Sequence, residues 1–133
     1  MGYHVADAST IEWEERPPLV EGQAPRSAAD VTTAAELKHS RGRVWRYPPH
    51  TRGRRHADKA QEEVFVVISG TLTMLLGDPP DRVDVGPESV VAVEPMTPLQ
   101  VRNESDEELV LFIYGAPPKQ EGADFFDDIE LEA

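Results

Sequence analysis

From His56 to Gly70 the chain reads HADKAQEEVFVVISG: polar groups first, then an unbroken apolar run, Val64–Ile68, that halts at Ser69-Gly70. In an extended strand residues i and i+2 share a face. His56 and Asp58 therefore point one way, and Glu63, Phe65 and Val67 form a second such row. Polar groups leading straight into a solid β-type run imply a small polar site set into the wall of an otherwise apolar barrel.

The rest of the chain supports an all-β reading. Val44–Tyr47 reads as a strand stopped by Pro48-Pro49, which cannot donate to a ladder. Further strands are expected at Glu62–Ile68, Thr71–Leu76, Arg82–Val85, Ser89–Val93, Leu99–Asn103 and Glu108–Tyr114. Turns rich in Gly, Pro and Asp separate them, a spacing typical of a sandwich or barrel. The nine glycines and 12 prolines fit such a turn-rich fold better than a helical one. Val64–Ile68 and Leu109–Tyr114 are apolar on both faces, so their outer faces need a cover. The N-terminal segment or a second copy of the chain would supply it.

Before Arg43 the signal is weaker. Tyr3–Val5 and Thr10–Trp13 are candidate short strands. Ser27–Asp30 followed by Val31–Leu37 is ambiguous: the serine and the acid suit a helix start, but Val31-Thr32-Thr33 is a poor helix interior. At 133 residues the chain is long enough for one domain with a real core. The expected organisation is an N-terminal segment (1–42) lying on the barrel or on a partner subunit, a barrel (43–118), and an acidic C-terminal tail (119–133).

Charge and composition remove several functions. The net charge of −12 argues against nucleic acid, whose phosphates need a basic footprint. Without cysteine there is no disulfide, zinc–thiolate site or thiol nucleophile. No apolar run is long enough to span a membrane and no signal pattern opens the chain, so a cytoplasmic location is expected. The charge is uneven, however. Eight of the 13 Lys and Arg residues fall between Lys38 and Lys59, with Asp58 the only acid there, and Glu121–Glu132 carries six acids and no base. Either these are solvated faces that partly neutralise each other, or the basic run lines a pocket mouth and attracts an anionic small molecule.

The His56–Gly70 stretch resembles the first signature of the cupin superfamily: Gly, five residues, His-x-His, three or four residues, Glu, six residues, Gly. His56 stands at the first His, Asp58 replaces the second, Glu63 and Gly70 match, and His50 replaces the opening Gly. In the second signature Pro95 and Asn103 match, Met96 replaces the Gly, and Leu99 replaces the His. The resemblance implies a double-stranded β-helix, the cupin jelly-roll barrel, in the form of a small single-domain protein that pairs as a homodimer. It also implies a metal site of three His and one Glu. Here only His56, Asp58 and Glu63 could ligate, because leucine at 99 offers no donor. Such a set suits at most a weakly held hard divalent ion, and no cofactor is expected.

The function expected from these residues is binding of a small molecule, an anion where the basic run lines the pocket mouth, with ligand contacts from His56, Asp58, Glu63, Phe65, Leu99 and Val101. One alternative is an enzyme, either a metal-dependent oxygenase or isomerase or an acid–base catalyst using His56 and Glu63. Another is a structural or interaction protein with a vestigial pocket, whose acidic tail meets a partner.

Overall fold

The computed structural model describes residues 2–118 and 122–131. It is a double-stranded β-helix of two packed sheets. The strands are β1 (Trp13–Arg16), β2 (Arg26–Asp30), β3 (Arg41–Tyr47), β4 (Thr51–Arg52), β5 (His56–Asp58) and β6 (Glu62–Ser69). They continue with β7 (Leu72–Leu76), β8 (Asp81–Val85), β9 (Val90–Val93), β10 (Leu99–Asn103), β11 (Leu109–Ala116) and β12 (Ala123–Phe125). One sheet runs β1-β2-β3-β11-β6-β9 and the other β12-β5-β10-β7-β8, with β4 also paired to β10.

The two runs that read as apolar on both faces, β6 and β11, lie side by side in the middle of the first sheet. Their inward residues are the core proper. Phe65, Val67, Leu109 and Leu111 meet Leu72 and Met74 of β7 and Leu99 and Val101 of β10. Each such side chain, fully buried, contributes roughly 1.5–3 kcal/mol. The outward residues are less protected: Ile68 is 52% exposed and Val90 of β9 is 60% exposed.

β1 and β2 form a hairpin that continues the sheet edgewise from β3. Residues 3–5 form no strand, and β1 begins at Trp13 rather than at Thr10. The ambiguous Ser27–Leu37 stretch splits: Ser27–Asp30 belongs to β2, and only Val31–Ala34 makes a single helical turn, α1. The cap is Asp30, whose carboxylate accepts from Thr33 N, because Ser27 is already paired with Arg46 in the sheet.

The acidic tail divides as well. Its Ala123–Phe125 stretch is strand β12 on the edge of β5. Asp128 then lies against the basic run: its carboxylate meets Arg52 Nη2 at 2.6 Å and Arg102 Nη2 at 3.3 Å. Glu121 and Glu132 lie outside the described residues. Among the described residues no helix is long and apolar enough to cross a membrane.

Candidate functional site

The six residues expected to meet a ligand all line one cavity of about 480 Å³. Strand pairing explains the convergence. In β5, His56 is the register partner of Leu99 in β10, and both face the barrel interior. In β6, Glu63 sits on the same face as Phe65, as the period of two requires. Leu99, Phe65 and Val101, exposed by 1%, 1% and 5%, form an apolar wall beneath the polar groups.

His56 is anchored at one ring nitrogen and faces a carboxylate with the other. Nδ1 lies 3.0 Å from the carbonyl of Arg54, and Nε2 lies 3.6 Å from Glu63 Oε1. The Arg54 carbonyl only accepts, so Nδ1 carries the hydrogen, and the Glu63 carboxylate, beyond hydrogen-bond reach of Nε2, acts on the ring as a nearby negative charge that favours the imidazolium form. Burial is the largest single influence on this group and pulls its pKa down. The Glu63 carboxylate, the Arg54 carbonyl and the charge of Asp58 together outweigh it, and the pKa stands above the ordinary 6.5. A histidine whose pKa is raised by folding stabilises the fold fully below its unfolded value, and that stabilisation fades as pH climbs through the folded value. The difference in Tm between the wild type and His56→Gln is therefore expected to be largest near about pH 6 and to shrink toward about pH 8. Thermal denaturation across that range checks it, and a gap that stays constant or widens would contradict the imidazolium assignment.

Asp58 lines the cavity but is largely spent on the backbone. Its Oδ1 accepts from the N–H groups of Ala60 and Gln61 at 2.9 and 2.8 Å, which shapes the turn leading into β6. This tests the metal site that the fold family implies. Glu63 and the Nε2 edge of His56 are near each other, Oδ1 of Asp58 is committed to its turn, and Leu99 has no donor atom. No group of three or more His, Cys, Asp or Glu side chains among the described residues is placed to hold an ion. The donor set does not fit a transition-metal centre, which needs three or four converging ligands.

Further residues complete the cavity. The inner face of β3 carries Arg41, Arg43, Trp45 and Tyr47 at alternate positions, and all four line it. Arg16 and Arg26, register partners across the N-terminal hairpin, join them. The Arg16 and Arg26 guanidinium carbons lie 5.6 and 5.4 Å from the Trp45 ring centroid. On the other side Arg54 stacks on Phe125 at 3.8 Å, and Phe125 stands 6.4 Å from the His56 ring. The basic run thus splits between both readings offered above: Arg41, Arg43 and Arg54 line the cavity, while Arg52 pairs with Asp128 of the tail. The period of two in RGRVWRY could have placed Arg41 and Arg43 inside. Nothing local in the sequence marks Arg16, Arg26 or Phe125, because strand pairing across the sheets brings them in.

Comparison with solved structures finds this fold repeatedly. A polyketide cyclase from Streptomyces resistomycificus superposes with a TM-score of 0.76 at 15% identity, covering 95% of this chain and 87% of that one. A conserved double-stranded β-helix protein from Klebsiella pneumoniae gives 0.72 at 17% identity, covering 93% and 97%. A sugar phosphate isomerase of the cupin superfamily from Silicibacter pomeroyi gives 0.69 at 20% identity, covering 83% and 73%. At such identities the likeness speaks for the fold alone. No curated protein matches the sequence. The family model described as Cupin domain matches residues 43–114, from the arginine-bearing strand β3 to the end of the apolar run in β11, and the chain belongs to the cupin domain family.

Proposed function

We propose that the barrel binds a small organic anion, with the His56–Glu63 pair and Arg54 at one side of the site and Arg16, Arg26, Arg41 and Arg43 at the other. The observation that carries this reading is the contrast in charge. A chain of net charge −12 places five arginines, and no lysine, around a single cavity of about 480 Å³. Arginine is the side chain suited to forked recognition of carboxylate or phosphate, and five of them set a positive field around this cavity. The apolar wall of Phe65, Leu99, Val101 and Ile113, with the Trp45 ring, suits a flat or aliphatic body behind the charged group.

A second reading is favoured by the His56 geometry. An imidazolium next to a carboxylate can donate a proton to a bound carbonyl or hydroxyl and take it back, so the same site supports acid–base chemistry on the anion it binds. This chain's own residues would do that work, with no step assigned to a metal.

The test is titration with small organic acids and their neutral amides, benzoate against benzamide for example, followed by thermal shift and calorimetry. The acids are expected to raise Tm, the amides to have little effect, and added salt to weaken the response. His56→Ala is expected to abolish the shift. Equal responses to acid and amide, or an undiminished response in His56→Ala, would overturn the reading.

A further inference from the structure

Resting on the anion-binding reading above, we propose that Arg16, Arg26 and Arg43 form a subsite for a tetrahedral dianion, so that the ligand class is a phosphate monoester rather than a simple carboxylate. Arg16 and Arg26 approach the same Trp45 ring, from β1 and β2, at 5.6 and 5.4 Å. The Nε atom of each is buried and has no hydrogen-bond partner. Arg52 and Arg55 also have an unpartnered Nε, but their Nη atoms are paired with Asp128 and Asp78 away from the cavity; those of Arg16 and Arg26 belong to side chains that line it, where an acceptor can be bound.

The protein partners present do not fill that demand. Arg26 Nη1 donates to the Tyr47 hydroxyl at 3.2 Å, and Arg16 Nη2 meets Glu14 at 3.4 Å on the exposed side. Arg43, on the adjoining strand, is held below the ordinary arginine range by burial first and then by the charges of Arg41 and Arg16, against the opposing pull of Asp30 and Glu14. Positive charge is therefore crowded at this end of the cavity. Three planar forks around one volume present more N–H groups than the two oxygens of a single carboxylate accept. A phosphate monoester offers three terminal oxygens and close to two charges near neutral pH.

The position of Trp45 gives a direct readout. Phenyl phosphate, benzoate and methyl phenyl phosphate (a diester that remains a monoanion) are titrated into the full chain while tryptophan emission is followed. Phenyl phosphate is expected to bind about tenfold more tightly than either monoanion at pH 7.5, and to lose that advantage as the pH falls below about 6, where its second proton returns. In R16Q/R26Q the preference is expected to fall to about twofold or less. Where that variant fails to fold, R16K/R26K keeps the charges but loses the forks, and an intermediate preference is expected. Equal affinities of the three ligands for the wild type would overturn the dianion subsite. So would an unchanged preference in the arginine variants, or one independent of pH. If benzoate binds and phenyl phosphate shows no preference, the cavity reading stands and this one falls; if no anion binds, both fall.

Discussion

Gly70→Ala is expected to cost about 3–4 kcal/mol, enough to lower Tm by on the order of 10 °C or to prevent folding at moderate temperature. Gly70 ends β6 with φ of +84°, a conformation that side chains with a Cβ disfavour by about 1–2 kcal/mol. Steric conflict adds to this. A Cβ there would stand 2.5 Å from the Glu108 carbonyl oxygen and 2.9 Å from the Leu109 Cα, both main-chain atoms that cannot rotate aside. Overpacking of this sort costs a further 1–3 kcal/mol or so. Gly77 is the control. It shares the left-handed conformation with φ of +86°, but its nearest neighbour would be the Pro79 carbonyl oxygen at 3.6 Å. Gly77→Ala is therefore expected to lose only the backbone share, about 1–2 kcal/mol. Denaturant unfolding of the two variants checks the ranking, and a Gly70→Ala protein within about 1 kcal/mol of wild type would refute the account.

Asn103→Ala is expected to cost about 3 kcal/mol, because one buried amide ties together three segments of chain. Asn103, at the end of β10, is fully buried. The two hydrogens of its Nδ2 serve three carbonyls, those of Tyr47 at 2.9 Å, Pro48 at 3.1 Å and Glu107 at 2.7 Å, one hydrogen being shared. Its Oδ1 accepts from Ser105 N at 3.0 Å and Ser105 Oγ at 2.9 Å. Alanine leaves those carbonyls and the Ser105 N–H without the Asn103 partner, the Tyr47 carbonyl in a buried position and the others partly buried. Asn103→Asp keeps the acceptor but places a carboxylate against three carbonyl oxygens, so it is expected to be worse than alanine at neutral pH. Urea denaturation of both variants is the measurement. An aspartate variant as stable as wild type would mean that the amide's donors contribute nothing.

Both residues come from the stretches that resemble the family signatures, and their roles explain why the fold was legible in the sequence while the chemistry was not. Gly70 and Asn103 act through backbone geometry, which a single residue type at a single position can announce. The same holds for the apolar runs that became β6 and β11 and for the turns that cut them apart. That Leu99 offers no donor to a metal was equally legible, since its side chain has no lone pair wherever it points. Met96 shows the limit of reading by residue type: it stands where the signature has glycine, and it still adopts the left-handed conformation with φ of +68°.

The order of residues along this chain determined its strands, its barrel and the convergence of His56, Glu63 and the apolar wall, because those follow from a two-residue period and local turn chemistry. Tertiary pairing decided the rest. Register between β1, β2 and β3 carries Arg16 and Arg26 to the ring of Trp45, and β12 brings Phe125 beside His56. The N–H groups of Ala60 and Gln61 engage one oxygen of Asp58 while the residue still lines the cavity. These contacts join positions far apart in sequence, or pit a side chain against its own backbone. No local pattern encodes which partner wins.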